Sequence, residues 1–313
     1  MDARNQGGEA LRILLTGACG YVGSVLLPKL LAAGHYVEAI DLQWFGNHTG
    51  MPIDKADFRD FPINNIDAVI HLAAVANDPT GDLDPALTWK TNALGTMQLA
   101  DAASRAGVKQ FIYASSGSVY GVNDAPMVTE EMPLKPISAY NETKMVAERC
   151  LLSYKDKMLV QIVRPATVCG LSPRMRLDVA VNMLTMQALS KGMITVLGGS
   201  QYRPHIHIED MTDLYLFMLA HPELIGVFNA GFENMPMIEL ADRISKRTRA
   251  AVQVSASNDQ RSYRLCSDKL MSAGFKPKRT VQMAAAEMTA AFHAGALVES
   301  DQCHNIRTMK LFV

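Results

Sequence analysis

Arg12-Ile13-Leu14-Leu15-Thr16-Gly17-Ala18-Cys19-Gly20-Tyr21-Val22-Gly23 is the stretch that decides the fold. Arg12 to Leu15 reads as a buried strand that runs straight into glycines spaced G-x-x-G-x-x-G, and Val25 to Ala33 then reads as a helix stopping at Gly34. Strand, glycine turn and helix in that order make a phosphate cradle. Glycine allows the tight turn and a close backbone approach, and the helix N-terminus turns its N–H groups and dipole toward an anion. Gly17, Gly20, Tyr21, Val22 and Gly23 are therefore the expected cradle of a dinucleotide.

The next strand, Tyr36 to Ile40, ends at Asp41. A carboxylate there accepts hydrogen bonds from the adenosine ribose and repels a 2′-phosphate, which favours NAD over NADP; the alternative is an ordinary surface turn residue. Asp57 and Phe58 are placed to flank an adenine ring. Asp67 to Ala74 reads as a buried strand opening into the small-residue turn Leu72-Ala73-Ala74, where backbone can approach the dinucleotide. His71, inside that apolar strand, reads as a packed core residue rather than a catalyst. Asn77, past the strand end, serves either a substrate or a turn. Thr88 to Arg105 reads as one amphipathic helix carrying Asn92, an asparagine that is either solvated or bonded to backbone at a kink. With Gln110–Ala114 and Leu159–Pro165 as further buried strands, the order is βαβαβαβαβαβ, which implies a parallel, doubly wound α/β sheet.

Ser115-Ser116-Gly117-Ser118-Val119-Tyr120-Gly121 follows the strand Gln110–Ala114, so Ser116 falls at a strand's carboxyl end, where open α/β sheets bind ligands. Downstream, Tyr140 and Lys144 lie four apart on a helix read over Ala139–Leu152, hence on one face. A free phenol has a pKa of about 10. A nearby ammonium favours phenolate and brings the group toward the working range of a general base. Lys144 is expected to supply that charge, and Ser116 to bond the same substrate oxygen. Taken alone, a Tyr-x-x-x-Lys pair more often marks a solvated helix face, so its meaning depends on what precedes it.

Composition narrows the class. The chain has 313 residues with a net charge of −1, which leaves no electrostatic footprint for nucleic acid or an anionic membrane surface. Five scattered cysteines without C-x-x-C read as buried free thiols of a reducing cytoplasm. No metal-ligand spacing, signal peptide or membrane-spanning apolar run is evident. After about residue 168 the pattern loosens into short strands and helical runs, among them Val179–Lys191, which carries Asn182. Arg174, Arg176, Arg203, Arg261 and Arg264 lie on loop-like segments there, suited either to a pyrophosphate or to surface ion pairs. Residues 11–168 thus read as the cofactor domain and 169–296 mainly as a substrate lobe with segments returning to the sheet. The segments 1–10 and 297–313 read as tails.

Together these motifs resemble the extended short-chain dehydrogenase/reductase family, within it the nucleotide-sugar epimerases and dehydratases. The resemblance spans roughly residues 11 to 292 and rests on T-G-A-C-G-Y-V-G-S, Asp41, D-F-R-D, H-L-A-A, T-N-A-L-G-T, S-S-G-S-V-Y-G, Y-N-E-T-K, V-R-P and R-P-H-I-H-I-E-D. It implies a Rossmann-type sheet with a smaller substrate lobe, NAD as cofactor, a nucleotide-diphosphate sugar as substrate and a homodimer. It further implies that Tyr140 transfers the proton, Lys144 binds the nicotinamide ribose and Ser116 bonds the reacting sugar oxygen, with Arg203 and Arg261 on the nucleotide diphosphate. Asn92 joins the cofactor set, and Asn77, Gly117, Ser118, Arg174 and Asn182 the substrate set. The Asp-Glu pair of similar 4,6-dehydratases is replaced by Gly117 and Ser118. The decarboxylases' glutamate and the cysteine of the GDP-mannose double epimerase are likewise missing there. The expected reaction is epimerisation at sugar C4, with 4-keto-sugar reduction as the alternative and a non-catalytic NAD-binding regulator as a more distant one.

Overall fold

The computed structural model describes residues 9–122, 125–256 and 262–313. Ile13, Leu14, Leu15, Val69, Ile70, Phe111, Ile112, Val160 and Ile162 have no exposed surface. Strands apolar on both faces need cover on both sides, which a parallel sheet flanked by helices gives them.

The chain runs through β1 (Arg12–Thr16), β2 (Tyr36–Asp41), β3 (Asp54–Lys55), β4 (Ala68–His71), β5 (Gln110–Ala114) and β6 (Leu159–Pro165). After β7 (Thr167–Cys169), β8 (Met193–Leu197) and β9 (Tyr202–His207), β10 (Gly226–Ala230) comes back beside β6, followed by β11 (Glu233–Pro236) and β12 (Ala251–Ser255). The central sheet has the order β10-β6-β5-β4-β1-β2-β3, and every pairing in it is parallel. This is the doubly wound α/β architecture that the strand and helix alternation implies. Strand order reverses between β1 and β4, so the loops at their carboxyl ends diverge and open a crevice. β7, β9 and β11 form a second small sheet, and β8 pairs with β12.

Two segments depart from the sequence reading. The helix expected over Thr88–Arg105 is three pieces: Pro85–Thr88, a wide π-turn at Trp89–Gly95, and Thr96–Arg105. Asn92 sits in the wide turn, its amide accepting from Val75 N at 2.8 Å and donating to Val75 O at 2.9 Å. Those bonds occupy both polar atoms of the buried side chain, so Asn92 serves the backbone at the exit of β4 rather than a cofactor. The tail after residue 296 is also folded: Asp301–Cys303 forms a 3₁₀ turn and Asn305–Met309 a short helix, with Leu297, Cys303 and Met309 buried. All five cysteines are free thiols; Cys19, Cys169 and Cys303 are buried, whereas Cys150 and Cys266 are only partly so. Among the described residues no helix is long and apolar enough to cross a membrane.

Candidate active site

The crevice is a cleft of about 600 Å³, lined on one side by Gly17, Gly20, Tyr21, Val22 and Gly23. Gly17 holds φ at +76°, and a Cβ there would come within 2.7 Å of Ala73 N. A Cβ at Gly23 would lie 2.2 Å from Gly17 O. Only glycine packs the turn against the β4 exit and leaves the helix N-terminus bare, since no side chain caps Gly23–Ala32. Asp41, Phe58, Leu72, Ala73 and Ala74 continue this wall. Asp41 accepts from Cys19 N at 3.1 Å and Gln43 N at 2.6 Å, so its carboxylate is held at the strand end, where burial raises its pKa. An uncapped N-terminus for an anion and a fixed carboxylate beyond it fit the pyrophosphate and ribose of a dinucleotide.

Ser116, Ser118 and Tyr140 line the cleft together. Ser116 caps the 3₁₀ turn Gly117–Tyr120. Ser138 caps the helix Ala139–Leu152, its Oγ accepting from Asn141 N at 3.2 Å, and so sets Tyr140 in the first turn. Tyr140 and Ser116 lie on the same stretch of the cleft wall, and the Ser116 hydroxyl is close enough to favour the phenolate, although burial outweighs it. Lys144 lies behind the cleft wall: its Nζ donates to Ala114 O at 2.8 Å, 5.9 Å from the Tyr140 ring centroid. The expectation that Lys144 makes Tyr140 acidic does not hold in the protein alone. Burial pushes the phenol up to about 12, above its ordinary value, and the Lys144 ammonium down to about 7. Each group is driven to its neutral form because little water remains to solvate a charge.

Several expected contacts are not brought together. Asp57 is engaged by Arg59, with bonds of 2.9 and 3.0 Å from Nε, and only its neighbours Ala56 and Phe58 reach the cleft. Gly117 turns away: a Cβ there would meet Leu265 Cδ1 at 2.9 Å and Pro165 O at 3.1 Å. Asn182 is fully buried, accepting from Gly170 N at 3.0 Å and donating to Tyr21 Oη at 3.0 Å and Arg176 O at 2.8 Å. Its amide locks the substrate lobe to the glycine turn and has no reach into the cleft. His71 is core, as expected, with its ring between Thr16 and Thr96 hydroxyls at 2.7 and 3.0 Å. Arg261 lies outside the described residues.

Arg203, Arg174 and Asn77 do line the cleft. Asn77 is at once a wall residue and a cap, accepting from Thr80 N at 3.0 Å with φ of 75°. Arg174 is buried, and burial beside Arg176 lowers its pKa to about 10. Its Nη2 donates to Asn305 Oδ1 at 2.6 Å, its guanidinium lies 3.9 Å from the Phe45 ring centroid, and its Nε has no hydrogen-bond partner. Sequence reasoning missed Trp44, Phe45, Asp178, Asn305 and Met309, which also line the cleft. Trp44 and Phe45 directly follow the Asp41 turn and were the readable signal; the tail gave none.

The NAD dependent epimerase/dehydratase family model matches residues 13–231. A UDP-glucose 4-epimerase of Mycolicibacterium smegmatis is 31% identical over 226 residues, covering 66% of this chain and 72% of that one. A UDP-glucuronic acid decarboxylase 1 of Xenopus tropicalis is 30% identical over 220 residues, covering 64% of this chain and 52% of that one. The crystal structure of the Thermus thermophilus UDP-glucose 4-epimerase in complex with NAD superposes with a TM-score of 0.80 at 26% identity, covering 92% of this chain and all of that one.

Proposed function

We infer the reaction from one premise: the chain belongs to the NAD dependent epimerase/dehydratase family. We propose that within it the protein is a nucleotide-sugar 4-epimerase. The observation that carries this reading is the composition of the reacting end of the cleft. Tyr140 and Ser116 meet there, and the two residues after Ser116 are a glycine turned inward and a serine, with no ionisable side chain between them. Such a set moves a hydroxyl proton but offers no acid–base pair at that place for expelling a second hydroxyl. Among the relatives, 4-epimerases of Mycolicibacterium smegmatis and Lactobacillus helveticus agree with it.

In this reading Tyr21, Val22 and Gly23 hold the cofactor's pyrophosphate on bare N–H groups, Gly20 N–H being turned back to Gly17 O, and Asp41 takes the adenosine ribose. NAD bound there supplies reversible hydride acceptance from the sugar carbon. Tyr140 removes the proton of the 4-hydroxyl and later returns one to the 4-keto oxygen, while Ser116 hydrogen-bonds that oxygen. Because burial raises the Tyr140 pKa and drives Lys144 toward its neutral form, proton removal needs a further positive charge, which the oxidised nicotinamide would supply once NAD is bound. Arg203 and Arg176, both on the cleft wall, hold the nucleotide diphosphate of the substrate.

The test is the absorbance spectrum of the purified protein, repeated with a panel of nucleotide sugars and no added cofactor. Retained NAD with conversion of one sugar to its C4 epimer is the expected result. Turnover only when reduced nicotinamide is supplied would transfer the assignment to a 4-keto-sugar reductase using the same residues.

A further inference from the structure

Every hydroxyl in the row beside Tyr140 has one hydrogen to give, and the surrounding bonds decide where each goes. Asp78 presents Oδ1 to two donors, Ser138 Oγ at 2.5 Å and Asn141 Nδ2 at 2.9 Å. An ionised carboxylate only accepts, so the Asn141 amide must turn its NH₂ toward Asp78 and its oxygen toward Ser118. Ser118 Oγ donates to that oxygen, which uses its single hydrogen. The 2.7 Å bond between the Ser116 and Ser118 hydroxyls therefore takes its hydrogen from Ser116. Ser116 Oγ also accepts Ser118 N–H at 3.2 Å. Its one hydrogen is committed to Ser118, so toward Tyr140, beside it in the cleft, it presents only lone pairs.

We propose that Asp78, acting through Asn141 and Ser118, is a positioning residue that sets the direction of this row, so that the resting protein holds Ser116 as acceptor and Tyr140 as protonated donor. The inference rests on Tyr140 being the proton-transfer residue and is indifferent to which sugar is turned over. Ionising Tyr140 then requires one rearrangement. The Ser116 hydrogen leaves Ser118 and turns to the phenolate, while Ser118 keeps its bond to Asn141. The phenol proton passes to hydroxide in the solvent, the two serines and Asn141 keep all their hydrogens, and only the Ser116 hydroxyl rotates.

Other groups also bear on Tyr140. Lys144 faces it from its own helix, and Asp78, Arg176, Tyr263, Tyr113 of β5 and Tyr215 of the helix Ile208–Ala220 face it from other elements. The charge of Asp78 itself disfavours phenolate, so the experiment must separate charge from direction.

The full chain, labelled with ¹³C at tyrosine Cζ, is titrated by NMR over the alkaline range in which it stays folded. Loss of one resonance in Tyr140→Phe assigns that residue. Ser118→Ala keeps every charge but frees the Ser116 hydrogen for the phenolate. A hydrogen bond to a charged group shifts the midpoint down by about one unit, so at a fixed pH below it the ionised fraction rises about tenfold. Ser118→Thr keeps the hydroxyl and is expected to match the parent. A parent-like Ser118→Ala, or a Ser118→Thr that behaves like it, would overturn the row's direction. Asp78→Ala is expected to raise the ionised fraction, and to do so less in the Ser118→Ala background, because the directional share passes through Ser118. Equal effects in both backgrounds would leave Asp78 only its charge and overturn its positioning role. These titrations need neither substrate nor cofactor, so a failure of the epimerase reading leaves them standing.

Discussion

Two walls enclose the cleft, and they are built by opposite means. The glycine-turn wall is local: a strand, three glycines and a helix fall within Arg12–Ala32, and the chain's own backbone conformation makes the surface. The tail wall is assembled from afar. Asn305 bonds Arg174, 131 residues away, takes Asp178 Oδ2 on its backbone N–H across 127 residues, and donates to Ala76 O across 229. One wall is specified by what each residue allows its neighbours to do, the other by which distant partners happen to meet. A defect in the first should therefore destroy the surface outright, whereas a defect in the second should loosen it.

Gly17→Ala gives the largest expected effect. The substitution combines a left-handed φ with a Cβ 2.7 Å from Ala73 N, a backbone atom that cannot swing aside. Strain of this kind costs on the order of 1–3 kcal/mol before the clash is counted. We expect NAD affinity to fall by about a hundredfold or more, roughly 3 kcal/mol, with a lower melting temperature. Gly34→Ala is the control: its φ is +89° but nothing lies within 4 Å, so it should cost stability and leave NAD affinity unchanged. Calorimetric titration with NAD and thermal melts of both variants decide it. A Gly17→Ala protein that binds NAD like the parent would break the comparison at its stronger end.

What was legible in the sequence divides along the same line. The glycine turn, Asp41, the parallel sheet and the Ser116, Tyr140 pair were readable because spacing along one strand or one helix determines their geometry. Asn92 and Asn182 carried a polar signal but not its meaning: both turned out to satisfy buried backbone groups, Val75 in one case and Gly170 and Arg176 in the other. A sequence shows that an asparagine is present, not which unsatisfied amide it will meet. The state of the Tyr140 and Lys144 pair was misjudged for a related reason. Spacing put them on one face, but it does not show how deeply either side chain is buried, and burial drives both toward neutrality. The tail was unreadable because a short helix of five residues has no periodicity to detect, and its burial depends on partners elsewhere in the chain.

Asn305→Ala probes the second wall at its polar anchor. It removes the acceptor of Arg174 Nη2 and the donor to Ala76 O, leaving a buried guanidinium with one partner fewer. An unsatisfied buried group of this kind costs about 1–3 kcal/mol. We expect a comparable loss of stability and an NAD affinity about tenfold weaker, because the cleft stays built while one wall loosens. Both are read in the same calorimetric and melting experiments. If NAD affinity stayed at the parent value while stability fell, the tail would brace Arg174 without bearing on the cofactor.

Phe312→Ala sharpens the comparison at its smallest expected effect. Phe312 stacks on Trp44 with ring centroids 5.7 Å apart and planes 21° from parallel, yet its side of the stack is half exposed. An aromatic pair adds about 0.5–1.5 kcal/mol when well packed, and this one should fall at or below the lower end. The chain has two tryptophans, so in a Trp89→Phe background the emission comes from Trp44 alone. Loss of Phe312 exposes that indole, and its emission should move to the red while NAD affinity changes by less than about threefold, well under 1 kcal/mol. An effect on NAD as large as that of Asn305→Ala would mean that the tail is seated by its aromatic end and that Asn305 merely follows. No change in Trp44 emission would mean that the stack does not persist in solution, leaving the second wall to end at the short helix Asn305–Met309.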